Sequence, residues 1–196
     1  MKSRGPVRPR VPTTALSLLI LLWAGAWAPA AWAEPLRFRI VPEQSELTVH
    51  ATSRLMDADG TFGRFSGEVT VDPQDLTTAK VNVTVDAASI DTGIGRRDRH
   101  LRSEDFFHVE RFPTVTFESV RVEGAGRRVI VVGRLTLRGV TREMIVPVEV
   151  SIAGGRLEAR GSLDIRRSDH AITYRSFMNP IGEMVRIVFT FRAVAP

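Results

Sequence analysis

The sequence predicts an all-β fold, a single antiparallel sandwich or barrel of about eight short strands with a short helical insertion near residues 95–107. Three observations predict it. Apolar and polar residues alternate with period two over most of the chain beyond residue 34, glycine- and proline-containing turns separate the runs, and one charged segment breaks the rhythm.

The chain begins differently. Lys2, Arg4, Arg8 and Arg10 make a basic opening, and no acidic residue precedes Glu34. An apolar run from Ala15 to Ala28 follows, and Ala31-Trp32-Ala33 puts small residues at both positions an export peptidase reads. Basic start, short apolar run and A-x-A site are expected to act as a secretory signal peptide. The competing reading is an uncleaved anchor, which needs about 20 apolar residues. Gly25 and Pro29 interrupt this stretch. The expected organisation is a signal peptide over 1–33 and one domain over 34–196, periplasmic or secreted, with no transmembrane segment after cleavage.

Strands follow in order. Leu47, Val49 and Ala51 alternate with Thr48, His50 and Thr52; Phe65, Gly67, Val69 and Val71 alternate with Ser66, Glu68 and Thr70. Val81, Val83 and Val85 form the next apolar face, then Val115 and Phe117. The last four runs are Val129 to Leu137, Met144 to Ile152, Leu157 to Ile165 and Val185 to Ala193. Asp72-Pro73, Gly124-Ala125-Gly126, Arg138-Gly139 and Gly154-Gly155 supply the turn conformations between them. Closing such a sheet into a barrel would remove its exposed edges. Eight strands would leave room for side chains or one small ligand.

The charged segment from Gly95 to Phe107 has no period-two pattern. Ser103 followed by Glu104 and Asp105 reads as a helix start, a capping hydroxyl with acids in the first turn. One or two helical turns are expected here, docked by Phe106, Phe107 and Phe112.

Composition narrows the function classes. The full chain has 27 basic and 22 acidic residues, and an isoelectric point near 10.8 suggests a nucleic-acid binder. The leader carries four of the basic residues, which leaves 23 against 22 in the remaining 163 residues. Those arginines are scattered, whereas nucleic acid calls for a concentrated basic footprint. There is no cysteine, which removes thiol catalysis, Cys-based metal sites and disulfides. All three tryptophans, Trp23, Trp27 and Trp32, lie in the leader.

The stretch Val85-Asp86-Ala87-Ala88-Ser89-Ile90-Asp91-Thr92-Gly93 and the blocks Arg97-Asp98-Arg99-His100-Leu101-Arg102-Ser103 and Phe106-Phe107 closely resemble the YceI-like family. So do Phe112-Pro113-Thr114-Val115-Thr116-Phe117-Glu118-Ser119 and Gly133-Arg134-Leu135-Thr136-Leu137-Arg138-Gly139-Val140-Thr141. The similarity covers about Phe38 to Ala193. It implies an exported, lipocalin-like antiparallel barrel that holds a long-chain isoprenoid, quinone or fatty-acid-type lipid. Two places depart from the family pattern. This chain reads Arg54-Leu55 where a His-Leu pair is frequent, and His170-Ala171 where an aromatic residue and a glycine are commoner.

Candidate chemistry is sparse. His50, His100, His108 and His170 do not show the spacing of a metal site. No Gly-x-Ser-x-Gly elbow is present, and Gly60 to Gly67 lacks the Lys-Ser/Thr of a phosphate loop. Arg97, Asp98 and His100 are expected to hydrogen-bond the helical insert to the barrel, since buried polar groups need partners. What remains is the apolar face: Val83, Val85, Phe117, Leu135, Met144, Val146, Val148, Leu157, Phe189 and Phe191 share one parity. Ala51, Gly133, Ala159 and Gly161 share it too, and remove volume that neighbours or a ligand must fill. Alternation alone leaves a filled core and a cavity equally open; the resemblance implies the cavity. The expected lining is then Val83, Val85, Phe106, Phe107, Phe117, Leu135, Val146, Val148, Phe189 and Phe191. The expected partner is the lipid, with a homodimer as a further possibility. No cofactor, metal, nucleic acid or catalysis is expected.

Overall fold

The computed structural model describes residues 34–53, 57–175 and 181–196. The expected leader, and with it the cleavage site at Ala33, lies outside the described residues, as does Arg54-Leu55. All eight alternating runs form strands. They are β2 (Glu46–Ser53), β4 (Phe65–Asp72), β5 (Asp75–Asp86), β7 (Thr114–Ala125), β8 (Arg128–Leu137), β9 (Val140–Ala153), β10 (Arg156–Arg166) and β11 (Ile181–Val194). Three more strands escaped the pattern: β1 (Leu36–Ile40), β3 (Ala58–Phe62) and β6 (Ile90–Asp91). β1 and β3 are five residues long, and β3 offers only Phe62 as a large apolar side chain. Too few residues repeat there for period two to stand out.

The sheet closes into a barrel of eight antiparallel strands in the order β1-β4-β5-β7-β8-β9-β10-β11, with β1 returning to β11. The number agrees with expectation but the membership does not. β1, and not β2, makes the closing pair, at Arg39 with Val194 and Ile40 with Ala193. β2 takes the rest of the same edge of β11, from Ile181 to Thr190, and continues the wall through β3 to β6. Two partners thus share one long strand, each closing one end.

Hairpin chemistry sets the registers. Arg138 and Gly139, at φ of 52° and 72°, join β8 to β9, and Gly154 and Gly155, at 55° and 70°, join β9 to β10. Two residues of positive φ match the twist of tightly paired antiparallel strands. The β9–β10 ladder runs from Arg156 opposite Ala153 to Gly161 opposite Val148 and stops at Pro147, which has no N–H to donate. Beyond it, Ser162 to Arg166 pair with β11 alone. The turn after β10 spans the opening: His170 Nδ1 lies 3.1 Å from the Val140 carbonyl, and Arg142 donates to the Asp169 carbonyl.

The insert is an α-helix, α1 (Gly95–Arg102). Ser103 does not start it. It ends it, donating its hydroxyl to the His100 carbonyl, and the acid of the first turn is Asp98. Phe112 also departs from expectation. It lies against Gly139 in the β8–β9 turn and not under the insert, while Phe106 is buried and Phe107 packs edge-on against Phe62.

The core is built at the barrel's inner parity. Phe38, Val71, Ile90 and Ala193 are essentially inaccessible. Phe38, Val71 and Ile90, the large ones, each contribute roughly 1.5–3 kcal/mol on burial. Strands of 10–14 residues, tilted about 40°, raise a wall roughly 25–35 Å tall.

Candidate functional site

The barrel is not filled. It encloses a cavity of about 970 Å³, at the upper end of the roughly 300–1,000 Å³ usual for ligand pockets. All ten residues expected at the lining are there: Val83, Val85, Phe106, Phe107, Phe117, Leu135, Val146, Val148, Phe189 and Phe191. Met144 packs against two of the core clusters, and Leu157 lines the cavity with the rest.

The small inward residues behave in two ways. Ala51 and Ala159 leave their space to the cavity. Gly133 and Gly161 do not, because phenylalanine rings lie across them. A Cβ on Gly161 would sit 2.6 Å from Cζ of Phe189, and one on Gly133 would collide with the Phe117 ring. The glycines let these rings lie flat along the wall, where Phe189 stacks on Phe191 at 4.9 Å. The channel between the strands stays open for that reason.

Polarity is confined to one end. The far portion is lined by Ile40, Val71, Leu76, Ala79, Val122, Val129, Val150 and Ile152. The other end is formed by α1, by the residues leaving β6, and by Arg167 and Tyr174. Arg97 and Asp98 both converge on Thr92. Asp98, buried, accepts from the Thr92 N–H at 2.9 Å and from its hydroxyl at 2.5 Å. Arg97 donates Nε to the same hydroxyl at 2.8 Å and Nη2 to the Thr92 carbonyl at 2.9 Å. Arg102 adds a bond to the Ile90 carbonyl at 2.7 Å. These bonds fix the helix to β6 and hold it at the cavity's rim. His100 is different from expectation: it pairs with Asp105 of its own insert at 2.9 Å and packs edge-on against Phe106 and Tyr174.

Sequence reading passed over Arg96, Thr92, Arg167 and Tyr174. Arg167 is only 5% exposed and donates to the carbonyls of Ile172, Tyr174, Ile181 and Gly182. Its guanidinium also meets Glu183 at 3.2 Å. The Glu183 carboxyl is held below the ordinary glutamate range, first by a hydrogen bond from Ser168 and then by the Arg167 charge. Five acceptors drawn from two separate segments could not be inferred from the run Arg166-Arg167. His170 is buried, and Ala171 takes φ of 57°, the left-handed conformation that favours the glycine commoner at this place. Among the described residues no group of three His, Asp or Glu side chains is placed to hold a metal. None of the described helices is long and apolar enough to cross a membrane.

A closed antiparallel barrel around an apolar chamber with polar groups at one end defines a cavity-enclosing β-barrel of lipocalin-like form. The chain belongs to the YceI-like family: the model of the YceI-like domain matches residues 38–193. A UPF0312 protein of Photorhabdus laumondii is 45% identical over 91 residues, which is 46% of this chain and 47% of that protein, so the match spans about half the relative's length. A UPF0312 protein of Serratia proteamaculans is 35% identical over 143 residues, covering 69% of this chain and 72% of the relative. Among solved structures, BcnA of Burkholderia cenocepacia superimposes with a TM-score of 0.74 at 26% identity, over 79% of this chain and 99% of BcnA. A polyisoprenoid-binding domain from Saccharophagus degradans gives 0.69 at 19% identity, over 82% and 99%.

Proposed function

We propose that this protein binds a long-chain apolar lipid, a polyisoprenoid, quinone or fatty-acid derivative, inside the barrel without transforming it, for storage, transport or sequestration. The observation that carries this reading is the cavity of about 970 Å³, apolar along its length and polar only at the α1 end. A tail threaded between Phe117, Phe189 and the valines would exchange water for side chains at about 0.8 kcal/mol per methylene. Ten carbons contribute about 8 kcal/mol before association and ordering costs are subtracted. The shared fold with a polyisoprenoid-binding domain supports the same class of ligand. Binding is favoured over catalysis because the polar rim groups serve the architecture. The Thr92 hydroxyl is committed to Arg97 and Asp98, and His100 to Asp105.

The test is native mass spectrometry with lipid extraction of protein purified gently from its host. Co-purifying lipid released on denaturation is the expected result. Protein recovered with no lipid, and taking up none when offered prenols or fatty acids, would favour a scaffold role for the barrel. The proposal includes export. Intact-mass measurement should find an N-terminus at Glu34 in material outside the cytoplasm, and a full-length chain retained at the membrane would contradict that part.

A further inference from the structure

We infer that the polar end of the cavity selects an acidic head group, a carboxylate or a phosphate, over a neutral one on the same tail; this rests on the lipid-binding reading above. The charges that line the cavity are one-sided. Arg96, Arg97, His100 and Arg167 are among the lining residues, and no aspartate or glutamate is. The segments 54–56 and 176–180, outside the described residues, contain no acid in the sequence either. Three nearby carboxylates are engaged, Asp98 with Thr92, Asp105 with His100 and Glu183 with Arg167, and Glu104 borders a separate surface pocket beside Tyr174 and not this cavity.

The four basic groups are not equivalent. Arg167 spends its donors on backbone carbonyls and Glu183, and so belongs to the framework. His100 is paired with Asp105. Arg97 uses Nε and Nη2 on Thr92, which leaves Nη1 without a hydrogen-bond partner among the described residues. Arg96, exposed in the first turn of α1, has no hydrogen bond or ion pair with any described residue and is among the residues that border the cavity. Arg96, with no partner, and Arg97, with Nη1 unused, both border the cavity, and a guanidinium presents a forked set of donors whose shape fits a carboxylate or phosphate. Their place at the rim lets the head group keep part of its hydration while the tail is buried. A neutral quinone or alcohol would gain the tail contribution alone. An exposed ion pair is worth up to roughly fivefold in affinity, and a charge-assisted bond to a half-buried group more. The expected acid preference is therefore about tenfold at low salt.

The experiment uses delipidated protein purified after export and two matched probe pairs, palmitate against hexadecanol and farnesyl phosphate against farnesol. Titrations of the parent are compared with Arg96→Gln and Arg99→Gln. Arg99 is exposed on the same helix and does not line the cavity, so its variant removes an equal charge from the wrong place. Support is an acid bound about tenfold tighter than its alcohol, a preference reduced severalfold by Arg96→Gln and kept by Arg99→Gln. A preference for only one of the two acids supports the inference and names the source. Equal binding of acid and alcohol overturns the head-group inference while the lipid reading stands, as does an equal loss in both variants. If none of the four probes binds, the lipid-binding reading itself fails.

Discussion

The two glycines under phenylalanine rings offer a sharp test of how the cavity is kept open. In Gly161→Ala the new methyl would stand 2.6 Å from Cζ of Phe189, 3.1 Å from its Cε1 and 2.7 Å from the carbonyl oxygen of Pro147. The carbonyl belongs to the wall of β9 and cannot retreat without bending the strand at the point where its ladder with β10 ends. The ring can move, but only into the chamber or against Phe191, on which it stacks at 4.9 Å. Overpacking of this kind costs about 1–3 kcal/mol. At about 2–4 °C per kcal/mol for a domain of this size, the melting midpoint should fall by roughly 2–12 °C. The displaced ring would also narrow the channel, so retained lipid should fall with it. Gly63→Ala is the control, because a Cβ there meets nothing within 4 Å. The assay is thermal unfolding by circular dichroism together with lipid content by mass spectrometry. A Gly161→Ala protein with the parent's midpoint and lipid load would refute the idea that glycine is needed to seat the ring.

Leu135→Trp would place the only tryptophan of residues 34–196 on the cavity wall, since Leu135 is 6% exposed and lines it; its emission should be blue-shifted and respond to added prenol or quinone, and water-like, unresponsive emission would contradict the placement. Ala171→Gly should stabilise the protein by about 0.5–1 kcal/mol, because Ala171 holds φ of 57° where a Cβ is strained; an unchanged or lower midpoint would show that the turn tolerates the strain. The Asp86 carboxyl sits below the ordinary aspartate range, chiefly because Arg64 hydrogen-bonds it, with help from the Ala88 N–H. Its folded pKa is depressed, so the stability it contributes is present above the ordinary aspartate pKa and lost as pH falls through the lowered value. Asp86→Asn should lower the urea midpoint at neutral pH, with the difference shrinking toward acid; a pH-independent difference would assign the effect to packing.

Most of the wall could be read locally. Val83 and Val85, Leu135, Val146 and Val148, and Phe189 and Phe191 share a parity because successive side chains of a strand point to opposite faces, and a water-soluble sheet must hide its apolar face whatever its partners. Arg138-Gly139 and Gly154-Gly155 could be read as hairpin turns for an equally local reason: their backbone conformation depends on two residues and not on what lies across the barrel. Ser103 reads as a helix start because a hydroxyl serves either end of a helix; in the structure it closes α1 on the His100 carbonyl, while Arg97 and Asp98 converge on Thr92, a contact no local pattern announces. Whether β1 or β2 closes the ring depends on how two strands divide one edge of β11. Whether the interior is empty depends on Gly133 and Gly161 meeting rings from neighbouring strands. The basic rim is assembled from α1 and Arg167, some 70 residues apart in the chain. These are non-local matters of volume and charge. Strand periodicity states which side of each residue faces inward, but the space left inside is a sum over all the strands, and it exists only once the barrel has closed.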